Sequence, residues 1–304
     1  MSRMTSNREN HKLEQLYNSE IKLDVTEDKR CSKVLNKVLA TVLATAKEKS
    51  SDFKELYRET YYGGSYYDGL KVKSTDFEYD LNIVFLTPKT SWALANLGDD
   101  VRKPNFANIT SNHLSKDHPS AKAFNNLLVK DRQGNWAISP KKMFEVLQKA
   151  IDRALTDMNK TVDVDGEAFA VTRAIGAPVI LIVKGPGVNF TVDLVPSFKL
   201  ELSHLQLACP DLKERLDGIL RNGKIEVKDF MAIALKNASS DMFEVDFHDV
   251  ERGILKSTAD DTGTCIYKVI MLIKYLRDQK GGTMSKLWSH LLKVSLTYHN
   301  FKIN

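Results

Sequence analysis

The chain has 304 residues, of which 42% are hydrophobic and 27% charged, as is ordinary for a globular protein. Its 44 lysines and arginines exceed its 39 acidic residues, and the net charge of +5 is compatible with a polyanionic partner. No apolar run approaches the ~20 residues of a membrane span, and the polar N-terminus lacks a secretory pattern. Three cysteines without a Cys-x-x-Cys pair argue against a disulfide scaffold or a four-cysteine zinc site. We therefore expect a cytoplasmic protein.

The first predicted element is a long helix after a polar segment, residues 1–27, that is expected to be frayed. From Asp28 onward, apolar residues recur as the pairs Val34-Leu35, Val38-Leu39 and Val42-Leu43, a spacing that predicts one buried stripe along an amphipathic helix. The opposite face is basic, and we define it by Lys29, Arg30, Lys33 and Lys37. Most such faces are simply solvated, and the alternative is contact with a nucleic-acid backbone.

A glycine turn follows at Tyr62-Gly63-Gly64-Ser65. Glycine tolerates positive φ and lets backbone N–H groups approach a ligand closely, and Ser65 adds a small hydroxyl. When such a turn opens a helix, it is well suited to hold phosphate.

The next segment, Phe77–Phe85, alternates apolar and polar residues and is predicted to be a strand. The alternation places Glu78 and Asp80 side by side on the face opposite Phe77 and Tyr79. Two neighbouring carboxylates repel, although a cation between them removes the repulsion, and Mg²⁺ prefers such oxygen ligands. A solvated strand face is the plainer interpretation of this pair alone.

A third acid, Asp193, lies in a second alternating segment, residues 189–196. The turn Gly185-Pro186-Gly187 connects it to the apolar run Val179–Val183, which predicts a hairpin. If this strand adjoins the first acidic strand, the three carboxylates meet.

The remaining elements suggest two lobes. Thr87–His118 is predicted to be irregular, Pro140–Met158 helical and Ala168–Val171 a strand, whereas beyond Asp211 helices dominate. The helices are expected at Asp211–Leu220, Phe247–Leu255, Thr264–Leu276 and Lys286–Leu296, with Ile225–Leu235 partly extended. We predict a polar segment at 1–27, a catalytic α/β lobe with the long helix at 28–207 and a helical lobe at 208–304, with a nucleotide-sized cleft between the lobes.

The order of glycine–serine turn, acid-x-acid strand and third acid resembles the polymerase-β-like nucleotidyltransferases. That resemblance implies a bilobal α+β fold. More specifically, residues 63–72, 77–80 and 192–196 resemble the cyclic GMP-AMP synthase-like receptors of animals, in the Mab-type branch. Weaker matches continue through Phe243–Glu251, Cys265–Leu276 and Leu287–Lys293.

Several positions depart from the family pattern. Glu244, Asp246 and His248 replace the family's Arg and two Ser residues, which contact the second nucleotide, so the bases and the linkage of the product stay open. Residues 256–261 contain no cysteine where the vertebrate enzyme has a zinc loop. The chain thus resembles the insect type that lacks this loop, which implies no structural zinc and double-stranded RNA rather than DNA as the activator.

The resemblance implies a synthase of innate immune signalling that makes a cyclic dinucleotide such as cyclic GMP-AMP from ATP and GTP. Catalysis would use two Mg²⁺ ions, or Mn²⁺. The implied metal ligands and catalytic residues are Glu78, Asp80 and Asp193, and the other implied nucleotide contacts are Gly64, Ser65, Glu251, Lys268, Ser289, His290 and Lys293. The basic face of Lys29, Arg30, Lys33 and Lys37 would bind nucleic acid. An ordinary position on a helix surface explains Lys268, Lys293 and His290 as well as a nucleotide contact does. Two alternatives stay open, an oligoadenylate-synthase-like transferase and a catalytically silent scaffold.

Overall fold

The computed structural model describes residues 11–73, 77–87, 92–95, 106–111, 121–130, 134, 136–175, 179–205, 210–234, 242–262 and 265–280. These ranges combine helices with a large sheet, which confirms the α+β class. The helices are α1 Val25–Lys49, α2 Ser51–Leu56, α3 Gly64–Tyr67, α4 Ala121–Asn125, α5 Pro140–Asp157, α6 Pro210–Asn222, α7 His248–Thr262 and α8 Cys265–Lys280. The strands are β1 Tyr57–Tyr62, β2 Phe77–Phe85, β3 Trp92–Ala95, β4 Phe106–Ser111, β5 Leu128–Lys130, β6 Trp136–Ile138, β7 Thr161–Val164, β8 Glu167–Arg173, β9 Val179–Gly185, β10 Val188–Glu201, β11 Asp229–Ala234 and β12 Phe243–Asp246.

The long strand β10 organises the sheet. Its first half pairs with β9, which confirms the predicted hairpin, and its last five residues pair with β11. Residues Phe190–Phe198 pair in parallel with β2, whose other edge holds β1. Strand β2, which carries Glu78 and Asp80, thus lies between β1 and β10 near the middle of the sheet.

The long helix α1 begins at Val25, earlier than predicted, because the Asp24 carboxylate accepts hydrogen bonds from the backbone N–H groups of Thr26 and Glu27. The described part of the segment before it, residues 11–24, is also more ordered than predicted. Residues 11–16 are helical and continue into a π-helical turn at Tyr17–Ile21. The reason is that Ile21 is fully buried with residues from α8 and from the segment after α3, in a small apolar cluster that anchors an otherwise polar stretch.

The prediction of an irregular segment between Thr87 and His118 was wrong in part. Strands β3 and β4 lie within it and pair with each other, and β4 continues to β12 and β6. Both strands are short, and one partner of β4, the strand β12, lies far along the chain. Strands β11 and β12 also fall beyond residue 207, inside the range assigned to a helical lobe, yet they extend the same sheet through β10. The predicted helix at Lys286–Leu296 lies outside the described residues.

The core lies between the sheet and two helices. The apolar faces of α1 and α5 pack against each other and against the strands β7 to β10. Helix α5 starts at Pro140 behind a Ser139 cap, as predicted to within one residue at its end. Among the described residues, no helix combines the length and the apolar composition needed to cross a bilayer.

Candidate active site

Three carboxylates converge at the centre of the sheet. Glu78 and Asp80 project from the same side of β2, and Asp193 of β10 stands in register with Asp80 across the parallel pair. One oxygen from each of the three side chains lies within 4.8 Å of the other two. The predicted meeting of Glu78, Asp80 and Asp193 is therefore found in the structure, and we call them the acidic triad.

Strand alternation explains this arrangement. Phe77, Tyr79 and Leu81 are buried in the core, so Glu78 and Asp80 must point away from it and remain exposed. On β10, Val192 and Leu194 are buried in the same way, which turns Asp193 toward the same face as Asp80.

The electrostatics of Asp193 indicate a site built for a cation. Burial first, and then the charges of Glu78 and Asp80, raise the pKa of the Asp193 carboxyl to about 7. Its buried Oδ1 atom accepts no hydrogen bond from the described residues. An oxygen that is buried without a donor, in a set of three hard oxygen ligands, fits a divalent cation such as Mg²⁺.

The glycine turn packs directly against the triad. Gly64 has φ +76° and opens α3, and a Cβ atom at this position would overlap the Asp80 carboxyl group. Gly63 has an extended backbone, and its N–H donates to the Asp80 carbonyl oxygen at 3.3 Å. Gly64 thus has the positive φ that the sequence predicted, and the close approach of its backbone N–H to a phosphate stays a prediction.

Helix α7 contacts the turn from the other side. Arg252 donates to the Tyr62 carbonyl oxygen and to the buried Asp68 carboxylate, each at 3.1 Å, and the Tyr61 hydroxyl donates to Asp249 at 2.6 Å. His248 reaches the Gly64 backbone N–H at 3.0 Å. In the sequence, His248 stands out only as a departure from the family pattern, and its partners in β1 and α3 cannot be found there because no sequence spacing reveals them.

The other predicted nucleotide contacts lie on three different helices or outside the described residues. Ser65 belongs to α3 within the turn, and Glu251 lies in the first turn of α7. The Lys268 ammonium contacts Glu14 at 2.7 Å and the ring of Tyr17, so its described contacts lead to the N-terminal segment. Ser289, His290 and Lys293 lie outside the described residues. These assignments remain predictions.

The basic face of α1 is partly paired. Arg30 donates to the Glu167 carboxylate at 2.7 Å and to the Pro186 carbonyl oxygen at 2.8 Å, and Lys33 forms an ion pair with Asp165. Both pairs tie α1 to the hairpin of β7 and β8 and remain exposed. Lys29 and Lys37 are exposed as well. Whether this face binds nucleic acid stays a prediction.

Comparison with known proteins decides the family. The Mab-21 protein nucleotidyltransferase domain matches residues 66–257, a range that contains all three acids of the triad. The chain belongs to the Mab-21 nucleotidyltransferase family. The polymerase-β-like nucleotidyltransferase fold that the sequence motifs predicted is thereby confirmed.

Two curated relatives extend this result. The chain is 26% identical over 256 residues to Cyclic GMP-AMP synthase-like receptor 1 of Drosophila erecta, an alignment that covers 82% of the chain and 54% of the relative. It is 24% identical over 169 residues to Cyclic GMP-AMP synthase-like receptor of Aethina tumida, covering 52% and 41% respectively. The predicted resemblance to these receptors is confirmed, and the chain spans about half the length of the curated relatives it matches.

Proposed function

We propose that this Mab-21 family member is a nucleotidyltransferase that joins ATP and GTP into a cyclic dinucleotide, such as cyclic GMP-AMP, when double-stranded RNA binds in the cytoplasm. The observation that carries the proposal is the acidic triad beside the Gly64 turn. An inactive scaffold would have no need to keep three mutually repelling carboxylates within 4.8 Å of one another.

The chain's own residues supply the binding geometry. The backbone N–H groups of the Gly64–Ser65 turn would hold the β- and γ-phosphates of the donor nucleotide. Glu78, Asp80 and Asp193 would hold two divalent cations. Such cations, when bound, neutralise charge on the transferred phosphoryl group and lower the pKa of the attacking hydroxyl.

Asp193 has a further role in this scheme. Without a cation, burial and its two acidic neighbours raise the pKa of Asp193 to about 7. Cations held by the triad would lower that pKa again, so the carboxylate would be charged, and from its position as a metal ligand it would help to activate the hydroxyl that attacks the α-phosphate.

The activator and the product are inferred from three further observations. The names of the two relatives favour cyclic GMP-AMP chemistry, the cysteine-free segment at 256–261 favours RNA over DNA, and the basic face of α1 offers a surface for a phosphate backbone. Of the alternatives, an oligoadenylate-synthase-like transferase would also use an acidic triad, but the acidic pair of that family is usually Asp-x-Asp, whereas this chain has Glu78 and Asp80.

The test is a product assay. The purified chain is incubated with labelled ATP, GTP and Mg²⁺, with double-stranded RNA, with double-stranded DNA or with neither, and the products are separated by chromatography. We expect a cyclic dinucleotide in the RNA reaction and none from a folded Glu78→Ala/Asp80→Ala variant. Linear oligoadenylates would favour the alternative transferase, and no metal-dependent product under any condition would reject the proposal.

A further inference from the structure

His248, the first residue of α7, lies between the phosphate turn and two carboxylates. Its Nε2 atom is 3.0 Å from the Gly64 nitrogen and 3.4 Å from Oδ2 of Asp68, while Nδ1 is 3.4 Å from Oδ2 of Asp246. The imidazole is largely enclosed, with 14% of its side chain exposed. Of its three polar neighbours, Gly64 belongs to α3, Asp68 directly follows α3, and Asp246 belongs to β12.

The two contacts of Nε2 require opposite protonation states. The Gly64 N–H is a donor, so Nε2 must offer a lone pair to bind it. The Asp68 carboxylate is an acceptor and interacts favourably only with a protonated Nε2. A protonated Nε2 would also face the Gly64 N–H donor to donor, which is repulsive. The imidazole therefore binds either Gly64 or Asp68, never both at full strength.

This choice matters because a phosphate would use the same Gly64 N–H. A neutral His248 occupies the position of a phosphate acceptor and competes with the nucleotide for this donor. A charged His248, drawn to the carboxylates, leaves the N–H available and adds a positive charge beside the phosphate seat.

We propose that His248 is a positioning residue for the donor nucleotide, which exchanges Gly64 for Asp68 as its partner and so makes the Gly64 N–H available to the phosphates. The proposal rests on the nucleotide-binding role given above to the Gly64 turn. It identifies a histidine where the family pattern has a serine.

The surrounding charges favour the charged form. Asp246 on β12 and Asp68 after α3 face the two ring nitrogens, and they raise the pKa of the imidazole to about 9, although burial opposes the shift. Arg252 of α7, which is bound to Asp68 and also lies 3.7 Å from Asp249, offsets part of this negative field. The Tyr61 ring of β1 packs edge-on against the imidazole, and its hydroxyl is bound to Asp249.

The sign of the pH dependence follows. Below pH 9 the imidazolium is paired with its carboxylates and the turn is open to phosphate. Above pH 9 the neutral ring takes the Gly64 N–H, so nucleotide affinity falls. If only the charged form is competent to bind, the affinity decreases about tenfold between pH 8 and pH 10. Asp193 does not contribute, because with a pKa of about 7 it is charged throughout this range.

The experiment measures binding rather than turnover. The dissociation constant of a non-hydrolysable ATP analogue with Mg²⁺ is determined by calorimetry from pH 8 to pH 10 for the wild-type chain, His248→Gln and Asp246→Asn. Glutamine keeps a hydrogen-bonding group near the Nε2 position but cannot be protonated, so the nucleotide affinity of this variant should not show the roughly tenfold decrease. Any decrease that it does show comes from other groups, such as lysines, and is subtracted from the wild-type curve. Asp246→Asn removes one of the carboxylates that favour the proton, so its decrease should begin at lower pH.

The outcomes separate the two proposals. A wild-type curve that matches that of His248→Gln would overturn the role of His248 while leaving the proposed function intact. If the dissociation constant of Asp246→Asn depends on pH in the same way as that of the wild type, the role of His248 is overturned too. This comparison is valid even if the glutamine variant does not fold. Failure of the wild-type chain to bind the analogue at every pH would reject both the proposed function and this inference.

Discussion

Asp193 and Asp80 stand in register across β2 and β10, the one parallel strand pair in the described part of the sheet. Glu78 completes the cluster from the same side of β2. Main-chain hydrogen bonds fix this register and keep the three side chains at neighbouring positions on one face of the sheet. A proton or a cation bound between the carboxylates would relieve their repulsion.

The first prediction concerns stability without metal. The pKa of Asp193 in the native state, about 7, lies above its ordinary value of 3.8, so the native state binds this proton more tightly than the unfolded chain does. The stabilisation is complete below pH 3.8 and is lost as the pH rises through 7. Asparagine mimics the protonated acid, so Asp193→Asn should match the wild type near pH 4 and exceed it at pH 8. We expect a difference of about 1–2 kcal/mol, since solvent screens a partly exposed group.

Chemical denaturation with a chelator present at both pH values checks this prediction. A variant that is less stable than the wild type at pH 8 would contradict it, because the carboxylate would then be contributing favourable contacts rather than repulsion.

The second prediction concerns the metal itself. A ligand that binds only the native state at a concentration one hundred times its dissociation constant adds about 2.7 kcal/mol to the free energy of unfolding. We expect such a gain with Mg²⁺ or Mn²⁺ for the wild type and none for Glu78→Gln/Asp80→Asn. Asp211→Asn, a change of an exposed acid on α6, is the control and should respond like the wild type. An equal response from all three proteins would show that the cation binds elsewhere.

The sequence predicted the facing of the three acids because its causes are local, whereas their meeting depends on the parallel pairing of β10 with β2, which only the family resemblance implied. Alternation with period two assigns a face to every residue of Phe77–Phe85 and of β10, and the hairpin at Gly185–Gly187 fixes where β10 begins. The long helices α1 and α5 were predictable for a similar reason, since their apolar stripes repeat over several turns.

The contacts of α7 with the turn could not be predicted in this way. Tyr61 and Asp249 are 188 positions apart, and only the folded chain brings them together. For the same reason the sequence does not predict the pairing of Arg30 with Glu167, 137 positions apart, or that of Lys33 with Asp165. The sequence marks these residues as charged or polar but does not say which surface faces them.

The third prediction concerns the turn. Gly64→Ala adds a Cβ atom that overlaps the Asp80 carboxyl group and also forces alanine into positive φ, which costs about 1–3 kcal/mol. We expect nucleotide affinity to fall at least tenfold and metal binding to weaken, because Asp80 must move. The matched control is Gly166→Ala, which has φ +85° and no atom within 4 Å of the added Cβ, so it suffers the backbone strain without the overlap. Equal nucleotide affinity in the two variants would reject the steric argument.

The last prediction concerns the basic face of α1. If Lys29 and Lys37 contact a phosphate backbone, each contributes about 0.9 to the slope of log affinity against log salt on a duplex treated like B-DNA. Reversing both to Glu should therefore weaken RNA binding for every sequence alike and reduce the slope by about 1.8. Arg30 and Lys33 are left unchanged because they are paired with Glu167 and Asp165. Reversing their charge would break exposed ion pairs that stabilise the fold by about 0–1 kcal/mol each.

The control reverses the charge of Lys54 and Arg58, two exposed residues outside this face, and so makes the same change in net charge. Binding is measured by fluorescence anisotropy over a salt series, and metal-dependent stabilisation should be unaffected in every variant. If the Lys29/Lys37 and Lys54/Arg58 variants lose affinity and slope equally, the effect is one of net charge and α1 is not the binding surface.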